Sequence, residues 1–297
     1  MTEQRRTVAR VGLAAVVKRL RIEADLTQKE LADMIGLSNQ QIANIEMGRT
    51  GVKPEYIERI LDGLKIEDTD EINRTDLLER ARASRQRTGK VRRRATSQTF
   101  VAPVVRRFND FEEEATERWD YSLNLIPSML QTPDYAKAVN RWFARLEPRL
   151  SDRHVKLRLA RQKLLRREDP GPLSLWEIIG EAALNTMVGS PAIMLEQLEH
   201  IRHTVAELSH VAFQILTFEA GNGPLGNGNV MVVRHPMAPT DMVYLEGADD
   251  AGRIEDREEE IERILWSFEQ TRALAEPEHR SLTLLNRRIK SLKEMLR

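Results

Sequence analysis

Leu26-Thr-Gln-Lys-Glu-Leu-Ala-Asp-Met-Ile-Gly-Leu-Ser-Asn-Gln-Gln-Ile-Ala-Asn-Ile-Glu-Met-Gly-Arg49 is the stretch on which the reading of this 297-residue chain turns. Thr27 has a side-chain oxygen suited to capping the N-terminus of a helix, and Glu30 lies three residues on, the capping-box spacing. A short helix through Met34 is expected. Gly36 stands where that helix must end with a positive φ, and Ser38 can cap a further helix from Asn39 to Glu46. Two short helices joined by a tight glycine turn result.

On the N-terminal side, Val8, Val11, Leu13, Val16, Val17, Leu20 and Ile22 recur at mostly helical spacing and predict a first helix over about 8–23. Beyond the quoted stretch, Pro54 with Tyr56, Ile57, Ile60, Leu61 and Leu64 predicts a fourth helix, and residues 70–82 a further one through Ile72, Leu77 and Leu78. In the helix 39–46, Ile42 and Ile45 face the core, Ala43 is small, and Asn39, Gln40, Gln41 and Asn44 stay on the outer side. Amide side chains can donate to and accept from adenine N6 and N7 together, each good pair contributing about 1–3 kcal/mol of discrimination. The alternative use of such residues is a solvated helix face.

Leu26 to Ala32, Ile35-Gly36-Leu37-Ser38, Ile42, Ile45-Glu46 and Gly48-Arg49 together resemble the XRE family, which includes the lambdoid phage repressors, over about residues 8–66. The resemblance implies an all-α, lambda-repressor-like helix-turn-helix domain that binds double-stranded DNA. It also implies base contacts from the outer residues of the third helix (Asn39, Gln40, Gln41, Asn44) and a phosphate contact from Gln28. A partly buried ion pair between Arg21 and Glu46 would tie the first helix to the third as scaffolding. Arg49, just past the third helix, is placed for phosphate or simply for solvent.

Composition bounds the rest: 41% hydrophobic and 31% charged residues are those of a globular chain, and the length suggests two domains. With no cysteine, disulfides and thiolate metal sites are excluded and the cytoplasm is the default compartment. Arg5-Arg6 followed by Val11–Val17 superficially resembles a signal peptide, but the apolar run stops at Lys18-Arg19 and no cleavage site follows. No run of about 18 apolar residues predicts a membrane span. The formal net charge is zero, yet residues 1–107 hold 22 Lys and Arg against 15 Asp and Glu, and the remainder 24 against 31. Residues 80–107 carry ten basic residues and no acidic one, including Arg92, Arg93 and Arg94. That run reads as a linker able to lie along DNA phosphates, or as an ordinary solvated linker.

From about residue 108, strands are expected near 121–125, 173–179, 211–218, 230–233 and 242–245. Helices near 134–145, 152–167 and 191–208 lie among them, and two more follow at about 255–274 and 278–296. The expected plan is a helix-turn-helix domain (1–79), a basic linker (80–107) and an α+β or α/β domain ending in helices (108–297). Ile126-Pro-Ser-Met-Leu-Gln-Thr-Pro-Asp-Tyr-Ala136, with Arg158 and Arg161-Gln162, is similar to the domain that follows the XRE motif in many actinobacterial regulators. Ser128 and Met129 replace the usual Gly-Leu of that pattern, which leaves the local turn open. Such domains are described as antitoxin-like, and the resemblance implies a small protein partner encoded nearby.

Other constellations carry less. Gly221-Asn-Gly-Pro-Leu-Gly226 fits a dinucleotide fingerprint by spelling, but a strand follows where a helix must open, and a hairpin loop is the better reading. Glu196, His200 and His203 share one side of a helix without an evident third ligand, and no serine, histidine and carboxylate form a recognisable triad. No catalytic residue, metal or cofactor is therefore expected, and the chain does not read as an enzyme. Trp119, Tyr121, Tyr135, Trp142 and Trp176 line either an effector pocket or a core. Leu282, Leu285, Ile289, Leu292 and Leu296 repeat like a coiled-coil seam that pairs between copies or packs within the chain. The combined expectation is a cytoplasmic, nucleoid-associated transcriptional regulator, a homodimer on a two-fold operator, whose second domain receives a protein or small-molecule signal. The alternative is an antitoxin-like protein that neutralises a small partner and autoregulates its operon.

Overall fold

Val8–Glu23 (α1), Gln28–Ile35 (α2), Asn39–Glu46 (α3), Pro54–Gly63 (α4) and Arg74–Arg85 (α5) form the N-terminal unit of the computed structural model. The structure describes residues 8–66, 73–85 and 101–297, apart from 142–144, 146–147, 170, 227, 236–237, 239–240 and 248–251. The chain divides into two compact units, Met1–Ser97 with His235–Asp241, and Gln98–Arg234 with Met242–Arg297.

In the first unit the apolar faces of the helices close on one core, in which Leu13, Val17, Leu31, Ile35, Ile42, Ile57, Ile60 and Leu61 are buried. α5 adds Leu77 and Ala81 to that core and packs on α1 and α4. Its last turn is fastened: Ser84 Oγ accepts from Val52 N at 3.0 Å, and Arg10 Nε donates to Ser84 O at 2.7 Å. The chain at Gly51 passes so close that a Cβ there would lie 2.5 Å from Ser84 O, which requires glycine.

The second unit is built on a six-stranded mixed sheet: Glu117–Ser122 (β1), Ser174–Gly180 (β2), Val211–Leu216 (β3), Val230–Arg234 (β4), Met242–Leu245 (β5) and Arg253–Glu255 (β6). The order is β3-β2-β1-β4-β5-β6. β1 pairs parallel with β2 and β2 with β3, while β4, β5 and β6 add antiparallel. β6 is a short edge strand that no sequence signal announced. One sheet face, with Trp119, Tyr121, Ile178, Val232 and Val243, packs against Ile261, Ile264 and Phe268 of Glu258–Leu274 (α11). On the other face Pro103–Glu112 (α6) lays Phe108 against Tyr244, ring centroids 5.1 Å apart. The helices Pro133–Val139 (α7), Pro148–Arg161 (α8), Glu181–Asn185 (α9) and Pro191–Glu207 (α10) also belong to this unit.

Two expectations change, and one open alternative is resolved. The basic stretch 80–107 begins inside α5 and ends inside α6; Pro103 opens a helix whose Phe108 and Phe111 are buried, while residues 86–100 lie outside the described residues. The loop Gly221–Gly226 is not a hairpin, because β3 and β4 are separated by β2 and β1; it crosses to the far half of the sheet over α11, where a Cβ on Gly223 would meet Thr271. The leucine seam lies in Glu278–Met295 (α12), which packs on α10 and β3; Leu285, Ile289 and Leu292 are buried there. Those three side chains are therefore consumed within the chain.

Candidate nucleic-acid interface and a polar cavity

α2 and α3 are each fixed at their start by a reciprocal cap. Thr27 N donates to Glu30 Oε2 at 2.8 Å and Glu30 N to Thr27 Oγ1 at 3.2 Å; Ser38 N donates to Gln41 Oε1 at 2.9 Å and Gln41 N to Ser38 Oγ at 3.2 Å. The hydrogen bond from the Thr27 backbone holds the Glu30 carboxyl below its ordinary range. Gly36 ends α2 at φ 72°, the left-handed conformation that side chains other than glycine resist. With Ile42 and Ile45 buried, Asn39, Gln40 and Gln41 are exposed and Asn44 half-buried. Gln40 Nε2 lies 3.4 Å from Asn44 Oδ1, so these two side chains stand side by side one turn apart. Gln41 is occupied at its Oε1 by the cap, a role that the capping-box spacing from Ser38 could have revealed.

Arg21 Nε and Nη2 donate to the two oxygens of Glu46 at 2.6 and 3.1 Å, and Nη1 donates to Leu26 O at 2.7 Å. The hydrogen bond to Glu46, opposed by partial burial and helped by the Glu46 charge, raises the Arg21 pKa above its ordinary value. Gln28 Nε2 donates to Glu46 Oε2 at 2.8 Å, so the residue singled out for phosphate is turned onto the ion pair. Arg49 is exposed beyond α3. Arg92, Arg93 and Arg94 lie outside the described residues.

In the second unit, a buried polar network joins α6, β1 and α8. Arg118 donates Nε and Nη2 to the two oxygens of Asp120, each at 2.7 Å, and its Nη1 to Glu112. Arg161 donates Nε to Glu112 Oε2 at 2.5 Å and Nη2 to Oε1 at 2.8 Å. Burial works to raise the Glu112 carboxyl, but the charges and hydrogen bonds of Arg161 and Arg118 outweigh it and bring it down to about 2. Glu177, which the register sets beside Asp120, goes the other way: burial first, then the Asp120 charge, raise it well above the ordinary carboxylate value.

Next to this network lies a cavity of about 790 Å³, bordered by α6, α8, residues 124–131 and parts of β1, β4 and β5. The Ile126–Ala136 segment is a rigid wall of it. Ser128–Leu130 form a 3₁₀ turn with Met129 buried, Tyr135 Oη accepts from Ile126 N at 3.1 Å, and Gln162 Nε2 donates to Ser128 O and Gln131 O at 2.9 and 2.8 Å. Arg158 Nη1 donates to Gln131 Oε1 at 2.9 Å. Of the five aromatics weighed as pocket lining, Trp142 lies outside the described residues and only Tyr121 borders this cavity, its hydroxyl donating to Gly226 O at 2.8 Å. Trp119 packs in the core under α11, and Trp176 Nε1 donates to Gln214 Oε1 at 2.9 Å. The sequence reading missed Asn109, Asp120 and Met231 here; Pro103 followed by Val104, Val105, Phe108 and Phe111 was the available signal for α6. Among the described residues no cluster of His, Cys, Asp or Glu could hold a metal ion, and no helix is long and apolar enough to cross a membrane. Burial lowers the pKa of His200, which is half-buried, and His203 is exposed.

No curated protein and no solved structure matches the chain. Two families do: residues 17–72 match one described as Helix-turn-helix, the domain of a DNA-binding regulator, and residues 105–287 match one described as Domain of unknown function (DUF5753). The second match spans more than half of the sequence and takes in the mixed sheet, the polar network and most of α12, so the protein belongs to the DUF5753 family.

Proposed function

We propose that the protein is a sequence-specific transcriptional regulator in which α3 reads base edges in the major groove and the DUF5753 domain receives the signal. The observation that carries this reading is the amide row of α3: Asn39, Gln40 and Asn44 on a doubly capped turn and helix, opposite a fully buried Ile42. A helix held by its N-terminal capping box and tied to α1 through Glu46 offers its amides in a fixed geometry, which bidentate base contacts need. Arg49 and the remaining N–H of Gln28 Nε2 serve phosphates, and the basic run containing Arg92, Arg93 and Arg94 adds affinity without sequence information. One eight-residue helix covers few base pairs, so two copies act together on a two-fold site.

Selecting bound fragments from the native genome supplies the operator, which should contain an inverted repeat with half-sites about one helical turn, or a multiple of it, apart. Mobility shifts with Gln40→Ala and Asn44→Ala then test the reading. Each is expected to lose about 1–3 kcal/mol of operator preference while binding random DNA and melting like the parent. Equal loss on both DNAs, or no loss on either, overturns base reading by α3; selected sites without two-fold symmetry overturn the paired arrangement.

A further inference from the structure

The stretch between α3 and α4 carries Arg49, Thr50 and Lys53, all exposed, and it is pinned at two points. At its start Gly48, at φ 63°, turns the chain out of α3 so that Arg49 N donates to Asn44 O at 2.8 Å. Near its end Val52 is buried in the core, and its N–H is the one that Ser84 accepts. Ser84 lies in the last turn of α5 and keeps none of its surface in water. Its hydroxyl works in both directions: Oγ accepts from Val52 N at 3.0 Å and donates to Ala81 O at 2.7 Å, while Ser84 O accepts from Arg10 Nε at 2.7 Å.

Leu77 and Ala81 already bury α5 in the core without any polar group. The Ser84 hydroxyl is used instead on a loop 32 residues away in sequence, and that loop follows the end of α5 so closely that Gly51 has no room for a Cβ beside Ser84 O. A buried N–H that loses its acceptor must find water or another partner, so the backbone at Val52 shifts when the hydroxyl is removed. Val52 lies three residues from Arg49. With that anchor gone, only the bond to Asn44 O fixes where Arg49 stands, and a guanidinium on a loosened loop meets a phosphate only after its own segment has been ordered.

We infer that Ser84 is a positioning residue for DNA binding: through the Val52 N–H it holds the loop 49–53 in the form in which Arg49 meets a phosphate. The inference rests on the reading of Arg49 as a phosphate contact, and it extends the DNA-binding machinery to α5, a helix outside the helix-turn-helix pair itself.

The test titrates the full chain onto the operator and onto a random-sequence duplex over a range of salt concentrations, as the parent, Arg49→Ala, Ser84→Ala and the double variant. Arg49→Ala is expected to bind both DNAs about tenfold more weakly at about 0.1 M salt and to lower the slope of log K against log salt by about one. Ser84→Ala should weaken binding to both DNAs by at least about threefold with a shallower slope, and the double variant should bind no more weakly than Arg49→Ala. A change that only destabilises the fold lowers affinity without removing a phosphate contact and leaves the slope in place, so the slope separates positioning from stability. If Ser84→Ala does not melt cooperatively, Ser84→Cys, which fills nearly the same space with a weak acceptor, takes its place. Parent-like binding or an unchanged slope in the Ser84 variant, or losses that multiply in the double variant, overturns the inference. The two levels come apart in the single variants. Parent-like binding by Arg49→Ala removes the phosphate reading and the inference with it, whereas a loss in Arg49→Ala without one in the Ser84 variant removes the positioning role alone.

Discussion

Arg21 with Glu46, and Arg118 with Glu112 and Asp120, are the same chemistry in two settings. Arg21 keeps 14% of its side chain in water, so solvent and one carboxylate share the work of stabilising it. Arg118 keeps none and needs two carboxylates, of which Glu112 in turn is held by Arg161. The interior network closes its charge balance with two guanidiniums against Glu112 and Asp120, and the third carboxyl, Glu177, is the one whose ionisation burial disfavours. At the edge of a fold an ion pair is a fastener; in the interior it is tolerated only when complete.

Breaking the interior set should have the largest effect. Arg118→Leu leaves two buried carboxylates short of donors and is expected to cost about 3–5 kcal/mol in urea unfolding followed by the Trp119 and Trp176 signals. A loss below about 1 kcal/mol would make the network dispensable. The acid side carries the same signature. Glu112 sits at about 2 against an ordinary 4.5, a depressed carboxylate, so its contribution is present above pH 4.5 and fades as the pH falls toward 2. Arg118→Leu should flatten that limb.

Arg21→Ala ranks next, at about 1.5–3 kcal/mol, because Glu46, whose side chain is 3% exposed, keeps the Gln28 hydrogen bond. Thermal melting of the first unit checks this, and an effect as large as that of Arg118→Leu would erase the contrast between edge and interior. Thr27→Ala, which removes a cap, should cost about 1 kcal/mol, read in the same melt. The remaining effect has the opposite sign. Glu177 has a raised pKa, so the ionisation penalty on its burial is absent below its unfolded value and grows as the pH rises above 4.5. Glu177→Gln should gain stability relative to the parent as the pH rises from about 4 to about 7, read in urea unfolding at the two pH values. A destabilised variant at pH 7 would mean that the carboxyl is used as an anion.

The two halves also differed in how far they could be read from the chain. Thr27, Glu30, Gly36 and Ser38 act within a few residues of one another, so caps and turn were legible from spacing. The Arg21–Glu46 pair was not; family resemblance suggested it, since nothing in a separation of 25 residues fixes a contact. In the second unit β2 to β5 announced themselves through Val, Ile and Leu, whereas β1, Glu117–Ser122, has none of these and begins four residues before the expected 121–125; only the register puts Asp120 beside Glu177 and Met231. Asn109 was hidden for a related reason. A basic run made the approach to α6 look like linker, and the partners of Phe108 lie on strands far along the sequence. A heptad of leucines in α12 likewise specifies an apolar stripe but not its partner, which proves to be α10 and β3.

The strand order has a consequence for how the chain is made. β1 lies near the middle of the sheet although it is the first strand to be synthesised, and its two edges wait for Ser174–Gly180 and Val230–Arg234. During translation it leaves the ribosome with Arg118 and Asp120 unsheltered and both rows of backbone amides unpaired. The N-terminal helices close over contacts within residues 8–85 and can fold at once. The nascent protein thus holds a finished helix-turn-helix while its second domain is still an open chain, and the time spent in that state is set by the speed of elongation.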